Sequence, residues 1–312
     1  MMRILGLALF LFVGTASAAP KGVVVLVPGT GNSLAPGAIQ KHPISKELQS
    51  NPYFSKQILQ TLQARGYDVL VIKGLAPAGK FEANGEKTLK ILRGWYKTKY
   101  PSGRVPISLI GHSAGGFYSL VVAHLGRELP IRDVVLLSTG LQGLNLALKL
   151  FPWDDETQTT TIPGLDFYID VRGLPQFKPE NVKKLLAKLR LPPALRLYAV
   201  GGSQEPPLKA SDLREAAYLS PILRGTNALI GERSDGIVEA RSAYGDGVQI
   251  ATTAGTYMSA RQLSSLHMPL EHPEQALDHR IFTILGTKNA AHISAAQISL
   301  YNAIADTLES AD

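Results

Sequence analysis

The feature that most constrains the fold is a short apolar run that leads directly into a Gly-x-Ser-x-Gly pattern. Residues 107–115 read Ile-Ser-Leu-Ile-Gly-His-Ser-Ala-Gly, with Ser113 at the centre of the pattern. The apolar run predicts a strand, and the spacing of apolar residues over 117–125 predicts a buried helix. A serine on a sharp turn between such a strand and helix is placed as an exposed nucleophile. Gly111 and Gly115 remove side chains that would collide with the strand before the turn and the helix after it.

Predicted strands and helices alternate along most of the chain, which is typical of a mostly parallel sheet flanked by helices. The strand Val23–Val27 is continuously apolar, as expected for a strand buried on both faces. The other predicted strands are 68–72, 107–110, 134–138, 195–200, 248–252 and 262–266. The predicted helices are 53–65, closed by Gly66, and 82–100, 117–125, 180–190, 273–285 and 294–308.

The connection between the strands 134–138 and 195–200 is too long for a simple crossover. We interpret residues 141–194 as a cap or lid, inserted into a core made of residues 20–140 and 195–312. The length of the chain, 312 residues, suits one large α/β domain with such an insertion.

The N-terminal residues 1–19 have the organisation of a secretory signal peptide. Arg3 precedes an apolar run over residues 4–13, and small residues follow at 16–19. We expect cleavage after Ala18 or one residue later, and a mature protein in the periplasm or the medium. No other stretch is long and apolar enough to cross a membrane. Without any Cys, the chain predicts neither a disulfide nor a lipid-attachment cysteine.

The formal net charge is +7, but Lys and Arg are spread thinly along the sequence. The densest positions, such as Lys183 and Lys184, lie on predicted helix faces. This pattern favours solvated helix faces over a nucleic-acid site. Nucleic acid is therefore not an expected partner.

A serine hydroxyl needs an imidazole to accept its proton and a carboxylate to orient that imidazole. In chains with this strand–turn–helix motif, the acid and then the base follow the serine. His267 follows an apolar run and precedes a predicted helix, where a loop after the last strand would place the base. His272 in the same loop is the main rival. His279 and His292 are expected at the surface, and His112 and His124 are discounted by their position relative to Ser113.

Asp235 is the predicted acid, because Asp-Gly forms a tight turn at a strand end and Ile237 and Val238 follow to bury it. Asp212 and Asp246 are alternatives. Two backbone amides are predicted to hold the oxyanion of an acyl-transfer intermediate. They are the amide of Ala114, directly after the serine, and that of Thr30, in the glycine-rich turn after the first strand.

Four segments resemble the α/β-hydrolase superfamily, and within it the bacterial lipase and esterase branch. They are Leu26-Val27-Pro28-Gly29-Thr30-Gly31, Gly111-His112-Ser113-Ala114-Gly115-Gly116, Ser234-Asp235-Gly236-Ile237-Val238 and Leu266-His267-Met268. The resemblance implies the α/β-hydrolase fold, with the cap between the sixth and seventh strands of that fold. Some secreted lipases place a calcium-binding carboxylate just after the histidine. This chain has Met268-Pro269-Leu270 there, so neither a calcium site nor any other metal or cofactor is implied.

These observations predict an exported serine hydrolase that cleaves small-molecule or lipid esters through an acyl-enzyme. Leu146 and Leu150 are predicted to line an acyl pocket, and packing within the cap is the open alternative for them. A thioesterase or amidase would use the same triad. A non-catalytic binding protein of the same fold would keep the pocket without acylation.

Overall fold

A parallel six-stranded sheet forms the centre of the protein, seen in a computed structural model. The structure describes residues 19–29, 54–76, 79–144, 159–161, 168–170, 174–201, 238–263 and 290–310. The strands are β1 (Gly22–Val27), β2 (Tyr67–Val71), β3 (Ile107–His112), β4 (Ile131–Leu137), β5 (Thr159–Thr161), β6 (Tyr168–Asp170), β7 (Arg196–Val200), β8 (Ile250–Ala251), β9 (Tyr257–Met258) and β10 (Arg261–Gln262). The helices are α1 (Lys56–Ala64), α2 (Phe81–Lys99), α3 (Ala114–Leu125), α4 (Pro179–Lys188), α5 (Ala240–Tyr244) and α6 (Ala290–Glu309), with a 3₁₀ turn at Leu174–Phe177.

The main sheet has the strand order β10-β7-β4-β3-β1-β2, with every neighbouring pair parallel. This confirms the predicted parallel sheet. The central strands β1 and β3 are buried along their whole length, as their apolar sequences require. Because the strands are parallel, the ends of β1, β3, β4 and β7 lie at one edge, which we call the carboxyl edge.

Helices cover both faces of the sheet. On one face, buried residues of α2, α3 and α4 share one core with alternate residues of β1, including Val23, Val25 and Val27. On the other face α1 and α6 pack against Val24 and Leu26. The result is a three-layer arrangement in which consecutive strand residues serve opposite cores.

Helix α1 shows how closely the sequence signals match the structure. The Ser55 hydroxyl accepts a hydrogen bond from the Ile58 amide at 3.4 Å, which caps the start of the helix. Gly66 has a φ of 88° and follows the last turn, as predicted for the residue that closes this helix. Within the described residues, no helix combines the length and apolarity needed to span a membrane.

Two regions differ from the sequence-based expectation. The strand predicted at 248–252 is shortened to β8, which pairs with β9 in a small antiparallel hairpin outside the main sheet. Gly255 has a φ of 79° within the turn between β8 and β9. Helix α4 falls inside the predicted cap range, but Val182, Leu185 and Leu186 are buried in the same core as α2 and α3. The prediction of a cap over 141–194 remains a prediction.

Candidate active site

Ser113 lies between β3 and α3, at the carboxyl edge of the sheet. Its backbone angles are φ 55° and ψ −125°, in a region that side-chain-bearing residues rarely adopt. Only one other described non-glycine residue has a positive φ, and that residue is Ser138. Such conformations cost about 1–3 kcal/mol each and persist where the surroundings enforce them. The geometry is that of a strained strand-to-helix turn with the serine at its tip.

Glycines let the chain close tightly around this turn. A Cβ on Gly111 would lie 2.6 Å from the Gly116 nitrogen. A Cβ on Gly115 would lie 2.8 Å from the carbonyl carbon of Val27, and closer still to its oxygen. The sequence predicted the crowding between the turn and the helix that is seen at Gly111, whereas the obstacle at Gly115 is the end of the neighbouring strand β1. No larger residue fits at either position without moving backbone.

Ala114 begins α3 and is fully buried. The first amides of a helix have no acceptor within the helix, and the helix dipole makes this end partly positive. The Ala114 N–H is therefore suited to a developing negative charge beside Ser113. Residues 114–123 are all buried, so packing on several sides fixes the position of this helix end.

The end of β4 holds the peptide groups of Ser113. The Ser113 N–H donates to the Leu137 carbonyl at 2.7 Å, and the Thr139 hydroxyl donates to the Ser113 carbonyl at 3.0 Å. Between these partners, Ser138 has a φ of 46° and donates its N–H to the Val200 carbonyl at 2.8 Å. No sequence pattern pointed to a role of Thr139 at the turn, because a threonine after a strand carries no distinctive signal.

An aromatic cluster packs against the first turn of α3. The rings of Phe81 and Phe117 stack with their centroids 4.5 Å apart, and the Phe177 ring meets Phe81 edge-on at 4.9 Å. Beside them the Gln176 side chain accepts from the Phe81 amide at 2.5 Å and donates to the Gly79 carbonyl at 3.2 Å. The segment that returns from the predicted cap is thereby fixed next to the serine turn and the start of α2.

The described part of the chain contains only some of the predicted site residues. Ser113 and Ala114 adjoin one another at the turn. The remaining predicted residues lie outside the described residues: Thr30, Asp235, His267, Leu146 and Leu150, with the alternatives Asp212, His272 and His279.

Four groups that were weighed for the site do lie in the described part. His292 is the third residue of α6. His124 accepts a hydrogen bond at Nδ1 from the Arg190 amide at 3.1 Å, which ties the end of α3 to the residue just past α4. His112 is the buried last residue of β3. Asp246 is exposed, and its carboxylate accepts a hydrogen bond from the side-chain Nε2 of Gln262 in β10 at 2.7 Å. Among the residues with described positions, no cluster of His, Cys, Asp and Glu is arranged to hold a metal ion.

The sequence matches no family profile and no curated protein. A carboxyl esterase and a lipase are among the solved structures that are similar to this chain over most of its length. A metagenomic carboxyl esterase superposes with a TM-score of 0.51 and 18% identity, covering 93% of this chain and 77% of that one. Staphylococcus hyicus lipase superposes with a TM-score of 0.51 and 13% identity, covering 94% of this chain and 97% of that one. At such low identities, the likeness concerns the fold alone.

Proposed function

We propose that this chain, which has the α/β-hydrolase fold, is an exported serine hydrolase that cleaves carboxylic esters. The observation that carries the proposal is the strained backbone of Ser113 between β3 and α3. A strained, glycine-flanked serine at the carboxyl edge of a parallel sheet is the arrangement that presents a nucleophile to a substrate. The two structural neighbours, named as a carboxyl esterase and a lipase, agree with this chemistry.

In the proposed reaction, the Ser113 hydroxyl attacks the ester carbonyl while His267 accepts the hydroxyl proton. Asp235 would orient the imidazole and stabilise its charged form. The tetrahedral intermediate then collapses, the alcohol leaves with the proton from His267, and an acyl-serine remains. Water, activated by the same histidine, hydrolyses the acyl-serine and regenerates the enzyme.

The oxyanion of the tetrahedral intermediate would be held by two backbone amides. The Ala114 N–H supplies one donor from the start of α3. The Thr30 amide supplies the other, from the turn after β1. Support for this pairing comes from the sheet, because Val27 at the end of β1 lies in register with Gly111 of β3. The turn after β1 therefore leaves the sheet next to the serine turn.

We propose that the insertion after β4 sets acyl preference, with Leu146 and Leu150 lining the pocket. The described ends of this insertion lie beside the serine turn. Leu144 donates its amide to the Phe177 carbonyl at 2.9 Å, and Phe177 packs on Phe117. Because α4 belongs to the main core, the covering part of the range would be residues 145–173. A substrate with an apolar acyl group suits such surroundings.

Export is proposed from the signal peptide at residues 1–19, which fall almost entirely outside the described residues. The Lys21 N–H donates to the Gly66 carbonyl at 3.0 Å, so Lys21 is already part of the folded domain. A cleavage site after Ala18 or Ala19 would leave that domain intact. The mature protein would act in the periplasm or the medium.

The decisive experiment compares the wild type with Ser113→Ala for hydrolysis of short and medium p-nitrophenyl esters and for labelling by a fluorophosphonate. We expect a fall in kcat of at least about 10³-fold and complete loss of labelling, because the nucleophile is gone. Thermal stability should hold or rise slightly, because one small side chain replaces another at a turn whose strain serves function and not folding. Turnover close to that of the wild type in Ser113→Ala would refute the proposal.

The base is tested by a pair of variants in one loop. His267→Ala should reduce activity as severely as Ser113→Ala, whereas His272→Ala should retain most of it. Activity of the wild type should rise with pH through a transition near about 6.5, because the imidazole must be neutral to accept a proton. The opposite pattern in the two variants would assign the base to His272.

A further inference from the structure

Thr139 lies two residues after the end of β4 and contacts the serine turn from there. Its hydroxyl donates to the Ser113 carbonyl at 3.0 Å. The Gly116 amide donates to the same oxygen at 3.0 Å, as a normal contact within the first turn of α3. The Ser113 carbonyl therefore accepts two hydrogen bonds, one from the backbone of α3 and one from the Thr139 side chain.

The surroundings of Thr139 fix its hydroxyl in place. The residue is fully buried, and a Cβ on Gly116 would lie 2.8 Å from the Thr139 Cβ and closer still to its oxygen. The hydroxyl thus occupies space that any side chain at position 116 would need. On its other side, the left-handed conformation of Ser138 redirects the chain after β4, so that Thr139 lies over the serine turn. A buried, tightly enclosed hydroxyl keeps its hydrogen bond in one geometry.

The bonded carbonyl belongs to the peptide unit that joins Ser113 to Ala114. That unit is planar and trans, so its C=O and N–H point in opposite directions. Fixing the Ser113 carbonyl therefore fixes the direction of the Ala114 N–H. This amide is the oxyanion donor of the proposed reaction, and such donors contribute through their preorganised aim.

We propose that Thr139 is a positioning residue that aims the Ala114 amide at the oxyanion, an inference that rests on the proposed function. Thr139 contacts neither substrate nor the reacting atoms. It acts through the Ser113–Ala114 peptide unit. Because an oxyanion donor stabilises the transition state more than the bound ester, loss of the hydroxyl should lower kcat and leave KM nearly unchanged.

The test uses Thr139→Val, which keeps the shape of the side chain and removes the hydroxyl, and Thr139→Ser, which keeps the hydroxyl. Thr88→Val is the matched control, because Thr88 is fully buried and its hydroxyl donates to the Asn84 carbonyl at 2.8 Å within α2. The measurements are kcat and KM with p-nitrophenyl butyrate, the rate of inactivation by a fluorophosphonate, and the melting temperature. They report chemistry and folding separately.

We expect Thr139→Val to lose roughly 10- to 100-fold in kcat, less than the loss of a whole oxyanion donor. KM should stay within about 3-fold, fluorophosphonate inactivation should slow in parallel with kcat, and Thr139→Ser should restore most of the rate. Thr88→Val should keep the rate of the wild type whatever its melting temperature. Equal kcat in Thr139→Val and Thr88→Val, or a rise in KM at constant kcat, would overturn the role of Thr139.

If Thr139→Val does not fold, Thr139→Ser and Thr139→Ala give the same comparison with smaller side chains. The serine variant should exceed the alanine variant at least about 10-fold in kcat, because only the serine retains the hydroxyl. Equal rates in these two variants would overturn the inference. Absence of fluorophosphonate labelling in the wild type would instead overturn the proposed function, and the role of Thr139 with it.

Discussion

Strands β3 and β4 are built differently at their two ends. At the carboxyl edge, Ser113 and Ser138 have positive φ angles. Around the serine turn, a Cβ added to Gly111, Gly115 or Gly116 would collide with neighbouring atoms. At the opposite end, which we call the lower end, the side chain of Asp133 is fully buried next to a register shift between β3 and β4. One end places unusual backbone conformations around a serine, and the other places a charge where water cannot reach it.

The charge at the lower end is thoroughly paired. Asp133 accepts hydrogen bonds from the Ser108 hydroxyl at 2.8 Å and from the Arg196 guanidinium at 2.6 Å, and Arg132 lies 3.2 Å away. Both arginines also donate to the Leu308 carbonyl near the end of α6. The comparison teaches that positive φ angles outside glycine are concentrated where a nucleophile is proposed, whereas the buried carboxylate of Asp133 at the other end is paired on both oxygens and serves stability.

The largest expected effect is at the carboxyl edge, in Gly115→Ala. The added methyl group would meet the backbone of Val27 in a central strand, which cannot move aside without disrupting the sheet. We expect loss of measurable esterase activity and a destabilisation of about 3 kcal/mol, at the upper end for overpacked positions. Ester hydrolysis and thermal unfolding measure the two effects.

Gly94→Ala is the control for Gly115→Ala. Gly94 lies in α2 with no atom within 4 Å of an added Cβ. Alanine there should stabilise the protein by about 0.5–1 kcal/mol, because it restricts the unfolded chain and favours helix. Equal responses of the two glycine variants would show that the crowding at the serine turn is not a constraint.

The next largest effect is at the lower end, in Asp133→Ala. Breaking a buried ion pair by removing one partner typically costs about 3–5 kcal/mol. We expect no more than about 3 kcal/mol here, without the loss of activity expected for Gly115→Ala, because Arg132 and Arg196 are partly exposed. Asp133→Asn should cost less, since the amide can still accept from Ser108. Urea unfolding gives both values. Activity per folded molecule should be unchanged, because Asp133 lies four residues, about 13 Å, before the end of β4.

A loss of activity in folded Asp133→Asn would contradict the separation of the two ends. A loss of stability under about 1 kcal/mol in Asp133→Ala would show that the network is only weakly stabilising. Each result tests one half of the comparison.

The sequence predicted the carboxyl edge better than the lower end. Ser113 and its glycines are adjacent in the chain, so local patterns were sufficient to predict strand, turn and helix. Asp133 takes partners from β3 and β7 as well as β4, and no local pattern joins those residues. Thr139 was missed for the same reason, because its bond to Ser113 spans two strands.

Helix α4 shows a second limit of local patterns. Its apolar stripe predicts a helix with one buried face, and the helix is present at Pro179–Lys188. The stripe does not indicate what covers that face. The cap range predicted from the sequence includes this helix, and its buried residues share a core with α2 and α3. Assigning a helix to a layer requires long-range contacts that a single sequence does not contain.

The smallest expected effect concerns partly exposed ion pairs at the same lower end, those of Glu309 with Arg65 and Lys21. The Arg65 guanidinium, 3.0 Å from the Glu309 carboxylate, holds its pKa below the ordinary value of 4.5, and Lys21 adds to this. A carboxylate with a lowered pKa in the folded state stabilises the protein above pH 4.5, and this contribution disappears as the pH falls through the folded-state pKa.

Because the pairs are partly exposed, Glu309→Gln should cost under about 1 kcal/mol at pH 7. Thermal unfolding at pH 7, 5 and 3 should show the difference from the wild type retained at pH 5 and diminished at pH 3. A difference that is the same at all three pH values would mean that Glu309 contributes through packing, and that charge at this end matters only where it is buried, at Asp133.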